Sequence, residues 1–408
     1  MTSPHHPTDF LDDLRRRSAA EDGVFWIDGD LLGIFEPAAA RRVSSENWRG
    51  LEMQDRLADM VLRRRSTRVP WARVRTAWLT QMHALSTADQ HARLLERMRR
   101  LLDARLGEDV DLVRAVQDVA VQSVLPLALS GLTARESRRV LDDLEQKLLR
   151  LLDRSPGHGP RHRLHFVAVQ IRAGLVVRRV LRDRARGRRP READLADPVV
   201  DLLPDLGMDR ALDVVTAVLT AIGGPPGSAA TSVLYELARR PEWTRRLTRE
   251  LQALDEAQFC AAPAKAAPLT HRFVKEVLRM WSPPLLLMRR ARHTFDVGGV
   301  RLPAGRGYVM SPHMIHRDAR YWMRPDTFDP DRFLPGAEHG PAGRGHYVPF
   351  GWEPKRCIGA GLGTTQLMAL CYLMCTRYRL TVPDPEAVTM TYRFAPVPRE
   401  FRGEIALR

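Results

Sequence analysis

Cysteine occurs four times in 408 residues, at Cys260, Cys357, Cys371 and Cys375. That is too few for a disulfide framework, and no zinc quartet can be assembled from them, so each thiol needs its own explanation. No apolar run approaches the roughly 20 residues needed to cross a bilayer, and no membrane span is expected. The first residues, Met1 to Pro7, lack a basic segment followed by an apolar stretch, which makes the cytoplasm the expected location. Lysine is scarce as well. Only Lys147, Lys265, Lys275 and Lys355 interrupt a basic set otherwise made of arginine, and 64 basic against 49 acidic residues leave a net charge of +15. Such a balance speeds encounter with any anionic partner without naming one. The arginine runs at 15–17, 63–65 and 178–191 lie beside acids or apolar helix positions. Solvated helix faces therefore outweigh nucleic-acid binding by roughly three to one, as no zinc-finger spacing or aromatic-interleaved RNA motif accompanies the charge.

What is present is a foldable chain, 44% hydrophobic and 28% charged. From about Asp89 to Leu237 apolar residues recur at spacings of three and four, as in Leu94, Leu95, Met98, Leu101 and Leu102, which predicts amphipathic helices. Breaks at Ser155–Pro160 and Gly187–Pro190 are too short to separate folded domains, so residues 1–408 read as one domain. Short β-branched or alternating segments at 24–27, 295–302 and 307–310, with Gly and Pro between them, predict hairpins. The fold class that follows is mainly α with small β-sheets. Residues 325–345 read as a long irregular loop, of a length that is usually functional inside a compact domain. No internal repeat is visible.

The most informative segment runs from Pro349 through Phe350, Lys355, Cys357 and Gly359 to Gly363, followed by a Leu-, Met- and Ala-rich stretch that reads as a helix. Cys357 thus sits at a helix mouth, where backbone N–H groups and the helix dipole favour a thiolate, a strong ligand for iron. The small residues at 359, 361 and 363 let a flat ligand approach. A buried thiol at a helix start is the commoner arrangement, but the flanking glycines and basic residues argue against it. Cys371 and Cys375, four apart in the apolar part of that helix, read as core, and Cys260 as an incidental thiol.

The loop resembles the heme-binding loop of the cytochrome P450 family through Phe350, Cys357 and Gly359. It departs where Glu353 replaces glycine and where Lys355 replaces arginine or histidine, so the turn at 353 needs another explanation, while lysine can still pair with a heme propionate as a point charge. Further matches follow in the family's order. Lys275 to Arg279 resembles its Glu-x-x-Arg helix, with Glu276 and Arg279 on one face. Arg289, the turn at 298–305 and the stretch Ser311 to Asp318 come next, and Phe328 to Phe333 resembles its Pro-Glu-Arg-Phe motif, which offers Arg332 as third member of a Glu276, Arg279, Arg332 network. Upstream, Trp71 and Arg75 fit its Trp-x-x-x-Arg pair. His316-Arg317-Asp318 is similar to a kinase catalytic loop, but Met323 stands where its asparagine belongs and no Asp-Phe-Gly follows.

The resemblance implies the P450 fold around heme b, with Cys357 as iron ligand and Trp71, Arg75, Arg289 and Lys355 as propionate partners. It implies a monooxygenase that receives electrons from a ferredoxin and its reductase and acts on an apolar small molecule, a terpenoid or polyketide-like intermediate of specialised metabolism. One feature is missing. The acid and threonine that organise proton delivery in the family's distal helix are replaced by Gly224 and Pro225, in the segment Ala221 to Ser228. Two prolines inside a helix cost about 3 kcal/mol or more each, so a kink or an interrupted helix is expected there. Either carbonyls freed at the break, Ser228, water or a substrate hydroxyl relay protons, or the protein uses peroxide or rearranges an oxidised substrate. Peroxygenases of this type share the proline but carry an adjacent arginine, which Gly224 is not. A heme-binding sensor, carrier or scaffold is the non-enzymatic alternative.

Overall fold

The computed structural model describes residues 7–47, 71–152, 159–337 and 345–408. The arginine run at 63–65, most of the break at 155–160 and part of the loop at 325–345 lie outside the described residues. By its contacts the chain forms two compact units, residues 1–48, 88–120 and 225–408, and residues 49–87 and 121–224. The two are interleaved in sequence, so neither is a contiguous half of the chain.

The first unit holds the strands and a helical core. β1 (Val24–Trp26), β2 (Leu31–Ile34), β7 (Gly307–Met310) and β4 (Leu287–Arg290) form a sheet in the order β1-β2-β7-β4, with β2 and β7 parallel and the other pairs antiparallel. Between β1 and β2, Asp28 accepts from the Asp30 and Leu31 amides and closes the turn. β5 (Phe295–Val297) and β6 (Val300–Leu302) make the expected hairpin. The segment 307–310 does not form one: β7 pairs with β2 and β4 instead, because its period fixes which side chains face inward but not which strand lies beside it. β3 (Gly107–Asp111) interrupts the run expected to be helical. Its polar sequence has little strand propensity of its own and is recruited by β11 (Arg402–Leu407), which also pairs with β8 (Tyr378–Thr381). A last hairpin joins β9 (Met390–Tyr392) and β10 (Pro396–Pro398).

The helix Ala360–Thr376 is buried continuously from Gln366 to Cys375 and packs against Ala88–Asp103, Pro225–Arg239, Pro241–Gln252 and Pro268–Met280. A helix apolar all round belongs in an interior, and Cys371 and Cys375 are core there as expected. Many helices of this unit begin on proline, where a missing N–H is tolerated.

That placement resolves the two prolines at 225 and 226. The helix Leu203–Ile222 ends, Gly223 and Gly224 intervene, and a new helix begins at Pro225. The interruption is the one expected, and the prolines fall in the first turn, where their cost disappears. The chain also passes from one compact unit to the other at this point.

Among its described residues the second unit is helical, with helices Trp71–Ala84, Ala134–Leu152, Pro160–Ala185 and Leu203–Ile222. A fully buried ion pair anchors it. Both guanidinium ends of Arg184 reach Asp194 at 2.9 and 2.6 Å, and the Ser130 amide donates to the same carboxylate at 2.7 Å.

Candidate functional site: a cysteine loop with a cation cluster

The loop carrying Cys357 is held from behind by a buried charge network. Glu276 and Arg279 face each other one turn apart on the helix Pro268–Met280, at 2.8 and 2.9 Å, and Arg332 Nε donates to Glu276 at 3.1 Å. The Asp329 amide adds a fourth donor at 2.8 Å. Arg279 also donates to the carbonyls of His316 and Pro325, and Arg332 to those of Met323 and Thr327. All three charged side chains are buried, and the expected network is formed.

His316, in the stretch Ser311 to Asp318, carries that order to the loop. The Ser282 hydroxyl donates to the Leu278 carbonyl, so its contact with His316 Nδ1 at 2.9 Å makes the ring nitrogen the donor. Nε2 is left to accept from the Val348 amide at 2.9 Å. Tyr347 stacks on the imidazole and donates to the Lys275 carbonyl at 3.1 Å. His316 thus fixes the entry to the cysteine loop as a neutral imidazole with one tautomer. No local signal could reveal this, because Val348 lies 32 residues away.

Burial and neighbouring arginines hold His316 and His313 well below the ordinary histidine pKa. Both are neutral when folded and take up a proton on unfolding once the pH drops below about 6.5. Their contribution to stability is therefore complete above that pH and declines as pH falls toward the folded pKa values, by about 1.4 kcal/mol per pH unit for each ring. Urea midpoints between pH 7 and 5 should show this loss, and His316→Asn should remove about half of the slope; an unchanged slope would contradict the assignment.

Beyond Val348 the chain turns. Gly351 lies at φ +75° and the Glu353–Pro354 peptide is cis. The positive φ of this turn lies at Gly351, and Glu353 is not among the residues with positive φ. The Cys357 amide donates to the Phe350 carbonyl at 2.9 Å, closing the loop, and the helix Ala360–Thr376 starts directly behind it with Gly359 as cap. A side chain at Gly359 would lie 3.8 Å from Cys357 Sγ, which places this glycine beside the sulfur.

Cys357 is the exposed cysteine, while Cys260, Cys371 and Cys375 are buried. Burial pushes the thiols of Cys260 and Cys375 up to about 11 and that of Cys371 well above its ordinary value, which makes them inert.

Arg289 on β4 and Lys355 in the loop come together with Arg292. Burial and these two arginines lower the Lys355 pKa to about 7. Arg289 is exposed, and burial by the surrounding protein lowers its pKa. Neither Arg289 nor Lys355 has a carboxylate partner among the described residues. Arg289 and Lys355, in a site with a thiol at a helix start, fit a flat dianionic porphyrin that offers iron to sulfur and carboxylates to the two cations.

The expected site residues divide between the units. Phe350, Lys355, Cys357, Gly359 and Arg289 belong to the first. Trp71 and Arg75 lie one turn apart on the helix Trp71–Ala84 of the second, with Trp71 packed on Trp78 at 6.2 Å between ring centroids. Gly224 closes the second unit and Pro225 opens the first. Ser228 is buried, and its hydroxyl donates to the Pro396 carbonyl at 2.6 Å, which ties the helix Pro225–Arg239 to β10. Thr231 and Ser232 bond back to the carbonyls of Gly227 and Ser228 in the same way. The missing side chain at Gly227 matters here, because a Cβ would meet Gln117 at 3.0 to 3.1 Å.

Comparison with known proteins bears on family likeness and fold. The family model described as Cytochrome P450 matches residues 213–399. Cyclooctatin synthase of Streptomyces melanosporofaciens is 34% identical over 172 residues, 41% of this chain and 37% of that protein. Pentalenene oxygenase of Streptomyces avermitilis is 31% identical over 206 residues, 50% of this chain and 45% of that protein. The chain therefore spans 37% to 45% of the length of these curated relatives. Among solved structures, the heme domain of cytochrome P450DA superposes with a TM-score of 0.78 at 18% identity, covering 98% of this chain and 92% of that one. The retinoic acid bound cyanobacterial CYP120A1 gives 0.77 at 18% identity, covering 98% and 96%. These two likenesses establish the fold. The chain is similar to the cytochrome P450 family over residues 213–399 and shares the fold of these P450 structures over 98% of its length.

Proposed function

We propose that residues 1–408 act as one P450-like domain, a heme-thiolate monooxygenase of apolar small molecules, terpenoids being the favoured class. Cys357 would hold the heme iron, and Arg289, Lys355, Trp71 and Arg75 would hold its propionates. The observation that carries the reading is the single exposed thiol at a helix start, beside Arg289 and Lys355. A relative named for oxygenating pentalenene supports the substrate class. When bound, heme supplies the redox chemistry. The protein's part is to keep the loop rigid through Glu276, Arg279, Arg332 and His316, to balance propionate charge, and to keep competing thiols buried. A net charge of +15 suits an acidic ferredoxin as electron donor, in the cytoplasm.

Proton delivery is the open step. Pro225 and Pro226 carry no N–H, Gly224 has no side chain, and the Ser228 hydroxyl is committed to Pro396. Ordered water or a substrate hydroxyl is then the proton source for a reductase-driven reaction. The same observation favours a second reading, in which the protein takes peroxide as oxidant and needs no relay from this helix. The test is product formation from a panel of terpenoids with NAD(P)H, ferredoxin and ferredoxin reductase against hydrogen peroxide alone. Reductase-dependent product is the expected result. Product with peroxide only would establish the second reading, and no product under either regime would remove both.

A further inference from the structure

The helix Pro160–Ala185 is apolar on two opposite faces. Val169, Ala173, Val176, Val177, Val180 and Leu181 turn inward and are buried, which accounts for its place in the second unit. On the outward side Leu164, Val167, Ile171 and Leu175 follow at spacings of three and four and remain 70%, 48%, 57% and 59% exposed. At 1.5 Å per residue this ridge is about 17 Å long. Scattered exposed aliphatics need no explanation, but a continuous ridge on a helix already apolar inside does.

The charge around the ridge has one sign. From Pro160 to Arg182 the sequence contains no acidic residue, and the one acid of the helix, Asp183, is held by Arg188 at 3.1 Å. Arg178 pairs with Asp209. Arg172, Arg179 and Arg182 are exposed along or beside the ridge and have no carboxylate partner among the described residues. A second copy of the chain is a poor occupant, since a two-fold contact would set these arginines against their own counterparts. A folded acidic protein would have to supply a groove matching a straight convex ridge. A bilayer surface adapts to such a ridge without a preformed groove, and arginine reaches lipid phosphates from a helix lying at the headgroup level.

We infer that the helix Pro160–Ala185 docks peripherally on an anionic lipid bilayer. Leu164, Val167, Ile171 and Leu175 enter the boundary between headgroups and acyl chains, while Arg172, Arg179 and Arg182 contact lipid phosphates. No span is involved, and the inference is independent of the oxidant and substrate.

The test is sedimentation of the heme-loaded full chain with vesicles of phosphatidylcholine, alone or mixed with about 30% phosphatidylglycerol, at physiological salt. Binding is expected to the anionic vesicles and to fall as salt is raised. The triple variant Leu164→Ser, Ile171→Ser, Leu175→Ser should lose at least about tenfold in partitioning, in keeping with the apolar area removed. The variant Arg172→Gln, Arg179→Gln, Arg182→Gln should lose as much and become insensitive to salt. Since all six side chains are exposed, unchanged melting temperatures would separate this loss from misfolding. As an independent readout, Ile171→Trp should add blue-shifted emission on anionic vesicles only. Absence of binding, equal binding to both vesicle types, or serine variants that bind like the parent would overturn the inference. So would a dimer that dissociates on the serine substitutions, which would assign the ridge to a second copy.

Discussion

Replacing Cys357 with serine is expected to lower heme affinity by at least about 100-fold, because even groups one shell removed from a metal change its affinity by 10–100-fold. Oxidative turnover should fall below detection with it. The effect follows from position. Among the four thiols only this one reaches solvent, and it does so at a helix start, in the same loop as Lys355, whose pKa Arg289 and Arg292 help to lower. Cys260→Ser provides the control. Its thiol is buried, pushed up to about 11, and should be replaceable with little effect on pigment. The measurement is heme retained after gel filtration together with turnover. Equal retention by Cys357→Ser and the parent would contradict the assignment.

The largest effect on stability is expected from Glu276→Gln. The amide keeps the shape of the carboxylate but removes the negative charge shared by Arg279 and Arg332, both buried. Breaking a buried ion network from one side costs about 3–5 kcal/mol. Because Arg279 also donates to the His316 carbonyl, and His316 receives the Val348 amide, the loss should spread to the cysteine loop. Urea unfolding should show the destabilisation, and heme should dissociate faster at denaturant concentrations the parent tolerates. A change below about 1 kcal/mol would mean that the network is not the support argued above.

Legibility in the sequence followed the range of each interaction. Glu276 and Arg279 are one turn apart, so their pairing follows from helix period alone. The helix break at Gly223 and Gly224 was readable because proline has few tolerated helix positions, and Pro225 occupies one of them. Cys357 was readable because a glycine-flanked thiol ahead of an apolar run is a local pattern. Long-range partners were not. The Ser228 hydroxyl finds the Pro396 carbonyl 168 residues away, a partner that no local pattern announces. β3 exists because β11 lies beside it, not because Gly107–Asp111 favours a strand. The turn around Glu353 has its positive φ at Gly351, not at Glu353. The role of His316 is not legible in the sequence, since it depends on Val348, brought near only by the fold.

The central claim is that the Cys357 thiolate binds heme iron, and the direct measurement is the absorption spectrum of the dithionite-reduced protein under carbon monoxide. A strongly red-shifted Soret band, lost in Cys357→Ser and retained in Cys371→Ser, is the predicted result. A band at the position typical of histidine-ligated heme, or one that survives the Cys357 substitution, would contradict it.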